Sequence, residues 1–349
     1  MRHLYKSEFE ESDAVIIQTL RPFKLITGEV LHGGLNSSEE KIARTMRPYT
    51  QEAALKDYEN LVNIHPKTSD LNKITGNLFI NYYMFPYRLD TGCNRKDGVN
   101  FYDFYKNPAA YVRPRQLTFI NSIVDKLIKE GSTRENAYYN YFSRWFCNVA
   151  IFKPLISKYL YEMYKPHTIL DITMGWGGRL AGAMSIPNTK YIGFDTNTDL
   201  KDPYARMIKD MNWADRCQLY FSDSAKADLS KFKYDMVFTS PPYFIKSGSA
   251  SYEAYTNMPK YESYDDWAER FFNPVMTNAY THLEKGGTFC INTNSTDFEL
   301  LKKLFGKPVK KIDIRNRASI RNERERKERG NKIITSTEFI YIWVKHGAI

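Results

Sequence analysis

The chain has 349 residues, of which 42% are hydrophobic and 15% aromatic, and its formal net charge is +10. This composition excludes a disordered or fibrous chain, and no apolar run approaches the roughly 18 residues that a membrane helix needs. The opening segment, MRHLYKSEFEESDA, has acidic residues where a signal peptide needs an apolar stretch. We therefore expect a cytoplasmic protein with no membrane partner.

The N-terminal part, residues 1–135, combines turn-forming stretches such as HGGLNSSEE and DTGCNRKDG with an aromatic tract over residues 79–111. We interpret it as an accessory region of undetermined fold that could recognise the target. Residues 136–164 predict helices leading into the rest of the chain. The aromatic run at residues 138–146 could stack on bases, but packing against a core is the preferred interpretation.

From residue 168 onward, short apolar strands alternate with longer helical patterns. HTILDIT, KYIGFDTN, CQLYFSDS, KYDMVFTS and GTFCINTN read as strands, and KKIDIR and STEFIYIWVKH read as two more. Helical patterns such as LKDPYARMIKDMNW lie between them. This alternation predicts an α/β domain that spans residues 136–349 and contains a doubly wound, mostly parallel seven-stranded sheet.

The four cysteines and six histidines are scattered along the chain. Cys93, Cys147, Cys217 and Cys290 show no CxxC spacing, and the histidines show no HxxxH or Cys/His ligand pattern. We therefore expect four free thiols and no metal site.

Positive charge is concentrated at the C-terminal end, where residues 301–349 hold 14 basic and 5 acidic side chains. A basic cluster of this kind, densest over residues 310–332, attracts polyanions such as nucleic acid. The alternative is a solvated helical face with pairs such as Glu325 and Arg329. We expect five arginines of the cluster to contact nucleic acid: Arg315, Arg317, Arg321, Arg324 and Arg326.

Polar or glycine-rich turns follow four of the predicted strands, at the edge where ligands bind in open α/β sheets. The turn Asp171–Gly178 has the sequence DITMGWGG, which is neither GxGxxG nor a P-loop. Asp195 ends the next strand, where a carboxylate can accept hydrogen bonds from a ribose diol, and Asp223 ends the third. Each acid could instead cap a helix or turn.

The most specific motif is Ser240-Pro241-Pro242-Tyr243, which directly follows the fourth strand. Two prolines fix a rigid loop whose carbonyls point in a set direction, and neither proline has a backbone N–H group that could compete for hydrogen-bond partners. Ser240 and the Pro241 carbonyl can accept hydrogen bonds from an amine, and Tyr243 can stack on a planar ring.

Together these motifs resemble the S-adenosylmethionine-dependent amino-methyltransferases that modify adenine-N6 or cytosine-N4 in DNA, over about residues 136–349. The resemblance implies a Rossmann-like sheet, S-adenosylmethionine as the cofactor, and DNA as the partner. It implies catalysis by Ser240, Pro241, Pro242 and Tyr243 on a base flipped out of the duplex, with Phe244 beside that base. It also implies a set of cofactor-binding residues: Phe152, Lys153, Asp171, Thr173, Gly175, Gly177, Asp195 and Asp223.

Several alternatives stay open. The cofactor motif precedes SPPY, as in adenine methylases, whereas serine before the prolines is commoner in cytosine-N4 methylases, which we favour slightly. An RNA base methylase or a catalytically silent nucleic-acid-binding subunit shares part of the pattern. Ser240 follows Asp171 by only 69 residues, so target recognition must come from residues 1–135, the loop Lys246–Tyr264 or the basic segment. A restriction-modification context is expected, but the recognition sequence and oligomeric state are not predicted.

Overall fold

The computed structural model describes residues 37–92, 98–244, 261–314 and 338–346. Two regions expected to contact nucleic acid lie outside the described residues: the five arginines from Arg315 to Arg326, and positions 245–260 of the loop after SPPY.

A seven-stranded sheet forms the centre of the described part of the chain, in the order β3-β2-β1-β4-β5-β7-β6. Strands β1 to β5 are parallel, and β7 runs antiparallel to both β5 and β6. The strands are β1 Thr168–Asp171, β2 Lys190–Phe194, β3 Cys217–Tyr220, β4 Met236–Thr239, β5 Thr288–Thr293, β6 Lys310–Asp313 and β7 Phe339–Val344. All seven lie within the predicted segments, and the predicted doubly wound α/β fold is confirmed.

Helices cover both faces of this sheet and account for most of the described N-terminal residues. They are α1 Ser37–Met46, α2 Gln51–Asn63, α3 Asn77–Asp90, α4 Phe101–Lys106, α5 Pro114–Lys129, α6 Arg134–Trp145, α7 Pro154–Tyr164, α8 Gly178–Met184, α9 Lys201–Asp210, α10 Tyr264–Trp267, α11 Asn273–His282 and α12 Ser295–Phe305. A π-helical turn, Ala268–Phe272, joins α10 to α11, so the helix over this region is continuous but not uniform.

Two hydrophobic clusters lie on opposite faces of the sheet because side chains alternate along each strand. Ile169 of β1 belongs to the cluster that α1 to α9 share, whereas its neighbour Leu170 belongs to the cluster under α10 to α12. The same alternation repeats at Phe238 and Val237 of β4. The sheet is therefore buried on both faces, as expected for parallel strands.

The helices of the N-terminal region pack on the first of these faces. The Lys158 ammonium of α7, which is buried, donates to the carbonyls of Leu61 and Val62 at 2.7 and 2.6 Å and thereby holds the end of α2. Tyr58 donates to the Met184 carbonyl at 2.7 Å. These bonds join the N-terminal helices to the sheet region, and the division at residues 135 and 136 stays a prediction.

Two expectations about individual residues can be compared with the structure. Cys217 and Cys290 are free and buried, but Cys147 is disulfide-bonded, so the prediction of four free thiols is wrong. Spacing along the sequence did not reveal which cysteines the fold brings together, and Cys93 lies outside the described residues. Core packing of the aromatic run is confirmed for Tyr138, Tyr141 and Phe142.

Among the described helices, none has the length and apolar character needed to cross a membrane.

Candidate active site

The loops that follow β1 and β4 meet where the strand order reverses. β1 lies between β2 and β4, so its two neighbours are reached by connections on opposite sides of the sheet, which opens a crevice at the carboxyl ends of the strands. A cavity of about 500 Å³ lies in this crevice. This size suits a small-molecule ligand.

Two sets of residues are among those that line this cavity. We call the first the glycine-turn wall, which consists of Thr173, Met174, Gly175, Trp176 and Asp195. We call the second the proline wall, which consists of residues 240–244 with Asn292 and Glu338.

The glycine-turn wall requires glycine for conformation and for space. Gly175 has φ +56° and Gly177 has φ +82°, which is the left-handed region that glycine adopts without strain. At Gly178, a Cβ atom would lie 1.8 Å from the carbonyl oxygen of Phe152, so no other residue fits. The Gly175 carbonyl accepts a hydrogen bond from the Tyr204 hydroxyl at 2.9 Å. The backbone of the turn is therefore held open toward the cavity.

Asp195 connects the turn to the end of β2. Its carboxylate accepts hydrogen bonds from the Gly175 amide at 2.8 Å and the Asn197 amide at 2.9 Å. Burial raises the pKa of Asp195 to about 6, against the opposing effect of these two hydrogen bonds. The carboxylate is therefore ionised above this pH, and both of its oxygens can then accept hydrogen bonds from hydroxyl groups.

Asp171 lies behind the glycine-turn wall and does not line the cavity. Its buried carboxylate pairs with the Arg179 guanidinium at 2.6 Å and accepts from the Tyr191 hydroxyl at 2.5 Å. Arg179 lines the cavity and also donates to the Thr173 carbonyl. Burial acts to lower the pKa of Arg179, but the Asp171 charge, the hydrogen bond to Asp171 and the neighbouring tyrosines together outweigh it, and the pKa is raised. Asp171 thus orients the turn through Arg179.

Of the remaining residues expected to bind the cofactor, Asp223 and Phe152 line the cavity, whereas Lys153 and Gly177 do not. Asp223 lines the cavity, and its Oδ1 atom accepts from the Ala225 amide at 3.0 Å, so it also caps a turn. Phe152 lines the cavity, where its ring lies 5.4 Å from the Arg179 guanidinium. The Lys153 ammonium donates to the carbonyls of Leu71 and Asn72, and Lys153 does not line the cavity. Gly177 also lies off the cavity surface, against Met84.

The SPPY loop lies beside the glycine turn because β1 and β4 are adjacent. The Thr173 hydroxyl donates to the Ser240 carbonyl at 3.0 Å and lies 2.6 Å from the Thr239 hydroxyl, which must then be the donor in that pair. Ser240, Pro241, Pro242 and Tyr243 all line the cavity. These contacts connect the glycine-turn wall directly to the proline wall.

Two residues that the sequence did not single out complete the proline wall. The Asn292 side-chain amide donates to the Ser240 hydroxyl at 3.0 Å and to the Tyr243 hydroxyl at 3.2 Å. Hydrogen bonds join Glu338 to both Asn292 and Tyr243. If the amide were flipped, the Asn292 oxygen would face the Glu338 carboxylate, and two hydrogen-bond acceptors would oppose each other. With the amide as described, the buried Oδ1 atom of Asn292 has no partner among the described residues.

Glu338 escaped prediction for a topological reason. Ligand-binding residues were expected after each strand, yet β7 is antiparallel, and its first residue, Phe339, pairs with Thr293 at the end of β5. The residue before β7 therefore lies at the ligand-binding edge of the sheet.

Phe244 lies at the edge of the proline wall, where its ring packs 6.1 Å from Tyr264 and 6.3 Å from Trp267. Among the described residues, no group of three or more His, Cys, Asp or Glu side chains could hold a metal ion.

Comparison with protein families adds a finding for the part of the chain that carries this wall. Residues 234–349 match the family model of the N6/N4 DNA methylases. The match confirms the resemblance drawn from the sequence and covers β4 to β7, including the SPPY loop and Glu338. A DNA methylase acts on nucleic acid and takes its methyl group from S-adenosylmethionine, so the cofactor prediction is confirmed. No curated protein matches the chain.

Three solved structures show low similarity to the chain. An rRNA methylase described as putative, from Clostridium thermocellum, has 18% identity and a TM-score of 0.36 and covers 56% of this chain and 100% of its own. An rRNA methylase from Streptococcus thermophilus has 13% identity and a TM-score of 0.36, with 57% and 100% covered. An RNA methyltransferase from Salinibacter ruber, in complex with S-adenosyl-L-homocysteine, has 14% identity and a TM-score of 0.34, with 58% and 96% covered. Similarity this low carries no argument about substrate.

The cavity fits the methylase cofactor. The Asp195 carboxylate suits a ribose diol, the positive φ of Gly175 lets a ligand approach the backbone closely, and Phe152 offers an aromatic face. When bound, S-adenosylmethionine supplies an electrophilic methyl group attached to sulfonium.

Proposed function

We propose that this protein is a DNA methyltransferase that transfers a methyl group from S-adenosylmethionine to the exocyclic amine of a flipped base. One observation carries the proposal: the glycine turn and the SPPY loop line a single cavity and are joined through the Thr173 hydroxyl. A donor and an acceptor of the methyl group need adjacent sites of this kind.

On the glycine-turn wall, Asp195 accepts hydrogen bonds from the ribose, while Gly175 and Thr173 approach the cofactor with their backbone. Asp223 binds the adenine amino group, and Phe152 lies beside the methionine end. Asp171, Gly177 and Lys153 contribute indirectly, since they shape or anchor the segments that line the cavity.

On the proline wall, Ser240 and the Pro241 carbonyl accept the two hydrogens of the target amine. The lone pair of such an amine is delocalised into the ring, so two acceptors that favour a pyramidal nitrogen make it a better nucleophile. The rigidity of Pro241-Pro242 keeps these acceptors in place without reorganisation. Tyr243 stacks on the ring of the base.

The target base must leave the helix stack, because an amine inside a duplex cannot enter a cavity at the edge of a sheet. We favour cytosine-N4 over adenine-N6, because serine rather than aspartate or asparagine precedes the prolines. Phe244 and the arginines from Arg315 to Arg326 are proposed to contact the DNA, the arginines through its phosphates.

The proposal is tested by transfer of a labelled methyl group from S-adenosylmethionine to unmethylated genomic DNA and, in parallel, to total RNA. We expect label in DNA, and we expect Ser240→Ala to abolish most of it. Ser185→Ala is the matched control, since Ser185 is a buried hydroxyl that donates to Gly182 outside the cavity. Label in RNA alone would favour the RNA methylase alternative, and no transfer to either acceptor would overturn the proposal.

A further inference from the structure

Glu338 occupies a position at the proline wall that the preceding roles leave unassigned. It lies immediately before β7, and the antiparallel pairing of β7 with β5 brings it to the carboxyl end of β5. Its half-buried side chain lines the same cavity as Ser240 and Tyr243.

The surroundings of Glu338 connect it to the SPPY loop. Hydrogen bonds join its carboxylate to Tyr243 and to Asn292, and Asn292 in turn donates to the Ser240 hydroxyl at 3.0 Å. One carboxylate is thus hydrogen-bonded to the hydroxyl of the tyrosine proposed to stack on the base and to the amide that holds the proposed amine acceptor. The other ionisable groups that line the cavity are Arg179, Asp195, Asp223 and Tyr261.

Methylation of an amine needs a group that removes a proton. The nitrogen becomes positively charged as its bond to the methyl carbon forms, and one of its two original hydrogens must then leave as a proton. A serine hydroxyl and a peptide carbonyl can accept hydrogen bonds, but neither holds a proton near neutral pH.

We propose that Glu338 is the catalytic residue that takes this proton from the target amine, an assignment that rests on the proposed function. The sulfur–methyl bond breaks with its electron pair remaining on sulfur, and the nitrogen lone pair forms the new nitrogen–carbon bond. One of the two amine hydrogens, which is acidic once the nitrogen is cationic, then leaves its hydrogen-bond acceptor at the SPPY loop and passes as a proton to the Glu338 carboxylate. The charges balance: the sulfonium becomes a neutral thioether, and the carboxylate becomes a neutral acid that later releases the proton to water.

The other cavity carboxylates are less suited to this step. Asp195 belongs to the glycine-turn wall and is engaged by two backbone amides, and Asp223 caps a turn after β3. In addition, burial raises the pKa of Glu338, although hydrogen bonds from Asn292 and Tyr243 oppose the rise. A general base works best when its pKa is shifted toward the working pH.

The test compares Glu338→Gln with wild type in single-turnover methylation of DNA at saturating S-adenosylmethionine. Glutamine keeps the size and a hydrogen-bond acceptor for Tyr243 but cannot take a proton, so we expect the rate to fall by about 100-fold. Glu338→Asp, which keeps a carboxylate, should recover part of the rate. Asp297→Asn is the matched control, because burial also raises the pKa of Asp297 to about 6, yet Asp297 does not line the cavity.

The pH dependence supplies a readout that a purely structural role would not change. A base must be ionised, so the wild-type rate should fall as pH drops below the pKa of Glu338, and Glu338→Gln should lose this acid limb. Tyr243→Phe removes a hydrogen bond that lowers the pKa of Glu338, so its acid limb should move to higher pH. S-adenosylmethionine is kept at a saturating concentration at each pH, so that weaker cofactor binding on protonation of Asp195 does not affect the measured rate.

Titration of the Glu338 carboxyl by carbon-13 NMR in the cofactor-free protein provides a check independent of turnover. We expect a pKa above that of an ordinary glutamate in wild type and a further rise in Tyr243→Phe. A wild-type rate in Glu338→Gln, or a slow variant that keeps the acid limb, would overturn the assignment while leaving the proposed function intact. A wild-type protein that methylates no DNA would instead overturn the proposed function, and the assignment with it.

Discussion

The two walls of the cavity differ in how fully their polar groups are satisfied by the protein itself. On the glycine-turn side, the carboxylates of Asp171 and Asp195 are each held by defined donors, namely Arg179, Tyr191 and backbone amides. On the proline wall, the buried Asn292 oxygen has no partner among the described residues, and Glu338 is buried enough to raise its pKa.

This difference indicates what each wall does. Unsatisfied buried polar groups cost free energy, and in the lining of a cavity a bound ligand can supply the missing partner. This difference fits the proposed roles, with a preformed binding surface on the glycine-turn wall and hydrogen-bonding capacity for an amine-bearing substrate on the proline wall. Substitutions on the two walls should consequently separate binding from chemistry.

The largest expected effect belongs to the proline wall. Ser240→Ala removes an acceptor for the target amine and should lower the single-turnover rate by about 100-fold or more, as loss of one preorganised hydrogen-bonding group does elsewhere. Calorimetric affinity for S-adenosylmethionine should stay within about twofold of wild type, because the cofactor is proposed to bind on the other wall. If Ser240→Ala lost rate and cofactor affinity to the same extent, the proposed separation of chemistry on the proline wall from cofactor binding on the glycine-turn wall would be wrong.

Asp195→Ala should have the opposite profile. Loss of hydrogen bonds to a charged acceptor costs about 1.5–3 kcal/mol, which corresponds to about 10- to 100-fold weaker cofactor binding by calorimetry. Asp215→Ala is the control, since Asp215 is an exposed carboxylate just before β3, at the far end of the strands. Unchanged affinity in Asp195→Ala would contradict the ribose role.

The pKa of Asp195 predicts how this binding depends on pH. The folded-state pKa, about 6, lies above the ordinary value of 3.8, so the ionised form that accepts hydrogen bonds disappears as pH falls through 6. Affinity for S-adenosylmethionine should therefore weaken below this pH, and Asp195→Asn should remove the dependence. The same shift means that Asp195 contributes to the stability of the free protein below pH 3.8 and that this contribution is lost as pH rises through 6.

Gly178→Ala should destabilise the whole glycine-turn wall. The new methyl group would lie 1.8 Å from the Phe152 carbonyl, and separating the two backbones should lower the free energy of unfolding by about 1–3 kcal/mol. Denaturant unfolding measures this loss. Gly286→Ala serves as the comparison, because Gly286 has φ +80° and open space at its Cβ position, so its substitution costs backbone strain without a clash, whereas Gly178 has the clash without a positive φ. A smaller loss at Gly178 than at Gly286 would contradict the packing argument.

The smallest effect concerns the basic segment. Arg324→Gln with Arg326→Gln should reduce the slope of log affinity for DNA against log salt by about 0.9 for each phosphate that the protein no longer neutralises. The charge-matched control is Lys190→Gln with Lys285→Gln, two exposed residues at the edge of the sheet where the parallel strands begin, away from the cavity. An unchanged slope would favour the interpretation of a solvated surface.

Much of the site could be predicted from the sequence because its residues end parallel strands. Asp195 and Ser240 each follow an apolar segment, and the carboxyl ends of parallel strands share one edge of a sheet. Glu338 precedes its strand, and only knowledge that β7 is antiparallel brings it to that edge. Asn292 lies inside β5, where an apolar pattern does not mark a polar residue as functional.

The N-terminal helices were less predictable for a different reason. Residues 37–92 bury side chains against each other and against one face of the sheet. The positions of their apolar residues therefore depend on these tertiary contacts and do not repeat with the regular spacing of a helix that is buried on one side only. The disulfide at Cys147 likewise depends on proximity in space.

The most direct measurement is mass spectrometry of nucleosides from DNA incubated with the protein and S-adenosylmethionine. We expect a base methylated on its exocyclic nitrogen, N4-methylcytosine in preference to N6-methyladenine. Either product is consistent with direct attack by an amine held at the proline wall. A carbon-methylated base such as 5-methylcytosine, or DNA without any new methylated nucleoside, would contradict it.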